Sequence, residues 1–326
     1  MPERSAITQV VQIGVETTMG TSVAANKAPL SFMFTATPNI ETDEFTPMGY
    51  KYPTLITPNK DWVEADIAGK AAYEDIVYLL SCILGTATIT TTGTTGKQWA
   101  FAPSSTTEDA IKSLTVEVGS SLRAGKWTYG IISDFGISFS RDGIDLSGKM
   151  LGQNYTDGIT LTASPTALAL VPILPGQVSV YLDSTSGGLG TTKLLRAFKA
   201  DWSLAGRFGP IWTLNAALAS FAAHVEGDPT NDIALLVEAD AAGMALLTNL
   251  RAGTTQFIRI EAVGAVIGAG PATYKFTLDA AVKVGAANEL GDEDGVYAIE
   301  WPLKIVHDGT WGKAFTVTVI NSLAAL

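Results

Sequence analysis

The chain is short of the residues that most chemistry needs. It has one cysteine in 326 residues, Cys82, and two histidines, His224 and His307. One cysteine cannot form an intrachain disulfide. Cys82 sits in the apolar run YEDIVYLLSCILG and reads as a small buried hydrophobe rather than a nucleophile. So few imidazoles and thiols exclude an ordinary zinc site. Charge is scarce too: 16% of residues are charged, below the roughly 25% usual for soluble domains. Thr, Ser, Gly and Ala stand where Lys and Glu usually do, as in β assemblies whose surfaces are covered by partners. No apolar run reaches the length of a membrane-spanning helix. The longest, residues 166–182, is interrupted by two prolines and a glycine. The start, MPERSAITQV, has no charged segment followed by an apolar core, so no leader is expected.

Nucleotide and hydrolase signatures are missing. GTTGK (93–97) is followed by Gln98, where a phosphate loop needs Ser or Thr. GGLG (187–190) reads as a loop between strands, with no helix after it to offer its N-terminus to phosphate. No G-x-S-x-G is present. Asp-Phe-Gly (134–136) lies in an alternating strand without the rest of a kinase. GDEDG (291–295) lacks the spacing of a calcium loop and reads as a hairpin tip. Asp142 and Asp145 are close in sequence, as a turn explains. No catalytic, metal or cofactor residue is expected, and the chain reads as a non-enzyme. The net charge of −11, from 32 acidic and 21 basic residues, opposes ordinary nucleic-acid binding. It is compatible with a surface that lets DNA pass without gripping it.

What is present is alternation. Strands are expected over 31–41, 61–70, 112–119, 126–140 and 143–152, with Arg-Asp-Gly (141–143) as a hairpin turn. In the strand at 61–70, Trp62, Glu64 and Asp66 point one way and Val63, Ala65 and Ile67 the other. A helix is expected over 71–85, from Ile76, Leu79, Leu80 and Ile83, with Gly85 as its stop. Residues 1–29 read as an extended arm, and 42–62, with three prolines, as a long partner-facing loop. The second half has strands over 177–183, 193–218, 255–264, 272–286, 295–308 and 314–323. A second helix is expected within 232–254, with Met244, Leu247 and Leu250 as its stripe and Gly253 as its end. VEADIAG (63–69) and VEADAAG (237–243) agree at six of seven positions. The order of elements around them is alike once the Thr-rich stretch 86–112 is treated as an insertion. A duplication is expected, with an arm at 1–29 and β domains at 30–165 and 166–326.

GVETTMGTSVAANKAPLSF followed by PNIETDEFTPMGYKYPT, and later ISDFGISFSRDGIDLSGKMLG, resemble major tail tube proteins of long, non-contractile-tailed bacteriophages. The resemblance is strong over 12–52 and 126–152 and loose elsewhere. It implies tandem β-sandwich or barrel domains with one helix per half, closing into rings. Three copies giving a pseudo-six-fold ring are favoured over six. Stacked rings would form a virion tail tube, assembled in the host cytoplasm, with other tail proteins at its ends. The tape measure protein and DNA would pass through the lumen without specific binding. Loop 42–61 and the arm would supply ring-to-ring contacts, the arm ordering only on assembly. Ser138, Ser140, Asp142 and Asp145, with Asp279, Lys283 and Asp292, are the candidate lumen-lining residues, unless they face the outer solvent. The alternatives are a tail terminator or another virion β module, and a carbohydrate-binding or hydrolytic β protein.

Overall fold

The computed structural model describes residues 8–326. The chain is mainly β, with 54% strand and 8% helix. In order the elements are β1 (Val10–Val15), β2 (Lys27–Ala28), β3 (Phe32–Phe45), β4 (Leu55–Lys70), α1 (Ile76–Ser81), β5 (Thr88–Thr92), β6 (Gly96–Phe101), β7 (Leu114–Ser120), β8 (Arg123–Ser140) and β9 (Ile144–Ile159). Then come β10 (Thr166–Ala167), β11 (Val178–Asp183), β12 (Ala197–Ala205), β13 (Phe208–Ile211), β14 (Ala223–Glu226), β15 (Thr230–Glu238), α2 (Ala241–Ala252), β16 (Gln256–Val266), β17 (Thr273–Val284), β18 (Gly291–Glu293), β19 (Val296–Ile305) and β20 (Phe315–Asn321). β13 and β14 pair with each other, and the other strands join one large mixed sheet.

The order of strand partners recurs. In the first half the neighbours run β1–β7–β8–β9–β4–β3. In the second they run β11–β16–β17–β19–β15–β12. A helix follows β4 in one half and β15 in the other. The two VEAD stretches are not what recurs. VEADIAG lies wholly inside β4, whereas VEADAAG starts at the end of β15 and finishes inside α2. Their closing glycines serve different contacts. A Cβ on Gly69 would sit 2.3 Å from the Ser31 carbonyl oxygen, and one on Gly243 2.1 Å from that of Glu238.

The halves share one core and are stitched at several places. β8 pairs with β12, Phe135 to Ser140 against Leu204 to Lys199. β6, from the Thr-rich stretch, pairs with β20, and the Trp99 indole donates to Asn321 Oδ1 at 2.9 Å. Buried Arg207 forms ion pairs with Asp109 and Glu226. One hydrophobic cluster runs from Val11 to Val319. The two halves of the chain therefore meet in one sheet and one hydrophobic cluster.

Three local expectations need correction. Residues 1–7 of the expected arm lie outside the described residues, but Val10–Val15 is a strand of the sheet. β1 pairs with β7 along its whole length, burying Val11 and Ile13. Next to it, buried Glu16 accepts from Gly20 N, Ser113 Oγ, Thr115 Oγ1 and Tyr129 N. Four donors make up for lost hydration, so a charged residue anchors a segment poor in apolar ones. The loop expected over 42–62 is mostly strand, because β3 and β4 form one long hairpin around residues 46–54. Pro58 is accommodated opposite Thr42, where the register shifts between Glu41 and Thr42; proline is tolerated at such bulges. The helix expected over 71–85 is only Ile76–Ser81. Its first turn is lost because Ala71 and Tyr73 bond instead to Ile144, Val171 and Ile173. Asp75 accepts from the Leu30 and Ser31 amides at 2.9 and 2.8 Å. By contrast α2 is as expected, capped by Asp240, which accepts from Gly243 N, and ended by left-handed Gly253.

Candidate functional site: a polar sheet face and its open edges

Two-residue alternation gives the ladder β3–β4–β9–β8–β12–β15–β19 one apolar face and one polar face. The apolar side chains, such as Val63, Ile67, Leu146, Ile137, Trp202, Ile233 and Trp301, are buried. The polar face continues from strand to strand without changing side. Thr35 is opposite Asp66, Asp66 opposite Lys149, and Lys149 opposite Asp134. A second row runs Lys70, Asp145, Ser138, Asp201, Ala234, Pro302. Further rows bring in Ser203, Asp232, Lys304 and Lys283, and Ser140, Lys199, Leu236 and Glu300.

Acids and lysines are interleaved on this face. Lys70 Nζ lies 2.6 Å from Asp145 Oδ1, and Lys199 Nζ 2.6 Å from Asp201 Oδ2. The hydrogen bond to Asp201 holds the Lys199 ammonium above its ordinary pKa. With Glu64, the carboxylates named on this face are seven and the lysines five. Lys70, Lys149, Lys199 and Lys304 each have a carboxylate opposite or beside them, whereas Lys283 is opposite Lys304; carboxylates still outnumber ammoniums, which disfavours holding a polyanion.

Of the residues singled out in the sequence, Ser138 and Asp145 face each other in the middle of this surface. Ser140 is opposite Lys199 on the same side, and Lys283 is opposite Lys304. Asp142 is exposed in the turn between β8 and β9. Asp279 and Asp292 stand elsewhere. Asp279 is tied to Arg259, Nε at 2.6 Å and an Nη at 2.8 Å, in the ladder of β16, β17 and β20. Asp292 is opposite Tyr297, on the side that Ile299 and Trp301 occupy further along β19, and it accepts from Gly295 N. Asp201, Asp232, Lys149 and Lys304 were not singled out. The alternation of DLSGKML, FKADWSLA, NDIALLVE and YAIEWPLKI carries their signal, but only strand order shows that they share a face with Ser138.

Both ends of this ladder are open. β3 pairs only with β4, and β18 only with β19, among the described residues. Beside the free edge of β3 runs a groove of about 380 Å³, lined by Val10, Val11, Leu30, Phe32, Met33 and Val118 among others. At the tip of the β3–β4 hairpin, Phe45, Met48, Tyr50, Tyr52, Leu55 and Ile56 are all more than half exposed. Further down, the hairpin rests on the segment that follows β13. Trp62 meets Trp212 edge to face at 5.7 Å, Lys60 Nζ lies 5.4 Å from the Trp212 ring centre, and Asp61 N donates to Ala219 O.

Among the described residues no group of three or more His, Cys, Asp or Glu is placed to hold a metal ion. Cys82 is fully buried, and burial pushes its thiol pKa up. No described helix is long and apolar enough to cross a membrane. No protein-family model matches the chain, and no curated protein matches it.

Proposed function

We propose that this chain is the repeating unit of a phage tail tube, a structural virion protein whose copies join into rings that stack around a DNA channel. The observation that carries this reading is the β8–β12 ladder. It joins one four-strand repeat (β3, β4, β9, β8) to the next (β12, β15, β19 and the β17–β18 segment), while both outer edges stay open. The open edge at β3 is the counterpart of β12 and the open edge at β17–β18 the counterpart of β8, so one end can pair with the opposite end of another copy, and such head-to-tail contacts close into rings or run on as fibres. Closure also removes the exposed strand edges that otherwise invite aggregation.

Three copies would bring six repeats and about 24 strands into the ring. At about 4.8 Å per strand the backbone circumference is roughly 115 Å, or about 37 Å across, before strand tilt widens it. That leaves room for a duplex inside the side chains. The polar face would line the channel, where balanced lysines and excess carboxylates let phosphates slide. The apolar hairpin tip would bury itself against the next ring, which favours a stacking tube protein over a terminator that forms a single ring. Other tail proteins would meet the tube at its ends, in a virion assembled in the host cytoplasm.

Electron microscopy of the purified chain at rising concentration tests the class. Hollow rings or tubes are expected. Compact monomers at every concentration would contradict it.

A further inference from the structure

One strand of the ladder is continuous in the first half and interrupted in the second. In the first, β8 runs unbroken to Ser140, paired with β9 on one side and β12 on the other. In the second, the corresponding strand is interrupted. β17 stops at Val284, β18 resumes at Gly291, and none of the amides of residues 286–290 donates a backbone hydrogen bond. This segment has β19 on one side only. Its residues are exposed, and Leu290 is 58% exposed. A strand that is whole where it has two neighbours and broken where it has one is missing a neighbour.

We infer that the missing neighbour is β3 of a second copy, and that residues 286–293 become a continuous strand when it docks. The inference rests on the ring reading and fixes the register of its junction. Asp145, paired with Lys70 at the end of β4, corresponds to Ala298, paired with Glu238 at the end of β15. Ser138, opposite Asp145, then corresponds to Gly291, opposite Ala298. Asp201 is opposite Ala234, four residues before Glu238, and Thr35 is opposite Asp66, four before Lys70. Within one chain Ser138 is opposite Asp201, so between chains Gly291 is opposite Thr35. The turn between β18 and β19, at Asp294 and Gly295, also has a seat on the second copy. Phe139, Ser140 and Arg141 border a groove between β12 and β11 in the second half. The groove between β3 and β1 is its counterpart in the first half and is unfilled in the single chain.

The test is a pair of cysteines in the full chain, Thr35→Cys with Gly291→Cys. A Cβ on Gly291 meets nothing nearer than 3.9 Å, and the one native thiol is buried. Paired strand residues lie about 4.5–5.5 Å apart at Cα, within disulfide reach. Oxidation under ring-forming conditions is expected to link copies covalently. The control, Thr35→Cys with Asp292→Cys, is expected to lose that linkage, because a one-residue shift turns the side chain to the other face. Leu290→Pro is the second arm. It is expected to leave the folded monomer intact and to abolish rings. Rings that form without the in-register link, rings that link equally in the control, or rings that persist in Leu290→Pro would overturn the junction and leave the tube reading standing. Monomers of the unmodified chain at all concentrations would overturn both.

Discussion

Ser138 and Asp201 sit directly opposite each other, one from each half of the chain, at the seam where the first four-strand repeat hands the sheet to the second. The seam is backed by apolar packing on the other face. Trp202 lies edge to face with Phe135 at 5.8 Å and donates its indole N–H to Asn231 Oδ1 at 2.9 Å. Trp202→Ala is expected to cost about 3–5 kcal/mol, the range for large buried aromatics. Because the halves share one core, unfolding in urea should remain a single transition with a lower midpoint. Two separated transitions would show that the repeats fold independently.

Arg207 is buried with Asp109 from the first half and Glu226 from the second. Removing the guanidinium leaves two partly buried carboxylates without their cation. Arg207→Met is expected to destabilise by about 3–5 kcal/mol. Adding Asp109→Leu and Glu226→Leu should restore much of that loss, since no uncompensated charge remains. Chemical denaturation of the single and triple variants checks both statements.

How much of this was legible beforehand depends on whether neighbours or local sequence decided each element. α2 was readable because its cap, stripe and stop are all local: Asp240, Leu247 and Gly253. The alternating strands and the Arg-Asp-Gly turn were readable for the same reason. α1 was overestimated because Ala71 and Tyr73 have ideal helix neighbours in sequence but strand partners in space. The prolines at 47, 53 and 58 suggested a loop, yet only residues 46–54 form one, since a bulge can hold Pro58. Glu16 lies in the stretch read as an extended arm, and its donors come from residues as far away as Tyr129. Ser138 and Asp145 followed from the pattern of a hairpin. That Asp279 would be taken up by Arg259 depended on the pairing of β16 with β17, which no local pattern reveals.

His224 links β14 to the first half through Tyr129, whose hydroxyl lies 3.0 Å from its Nδ1. Burial lowers its pKa from the ordinary 6.5, against the opposing pull of Glu108 and Glu226. The unfolded chain therefore binds the proton more readily than the folded one. The stability that follows from this is fully present above about pH 6.5 and is lost as pH falls through the lower folded value. Thermal melts should show a midpoint that drops between pH 7.5 and pH 5.5, with a smaller drop in His224→Gln. An equal drop in both would assign the effect to carboxylates instead.

The hairpin tip separates folding from association. Phe45, Tyr50 and Tyr52 are exposed in the single chain. Replacing all three with serine should change stability by no more than about 0.5 kcal/mol per site. The same change should weaken stacking, so that light scattering detects single rings where the unmodified chain gives tubes. Tubes of unchanged length would remove the hairpin from the ring-to-ring contact.

In the proposed ring one chain supplies two of the six repeats. Native mass spectrometry of isolated rings measures that count directly. A closed assembly of about 103 kDa, three times the 34.2 kDa chain, is expected. A six-copy ring, twice that mass, would contradict it by showing that one chain does not fill two of six equivalent places.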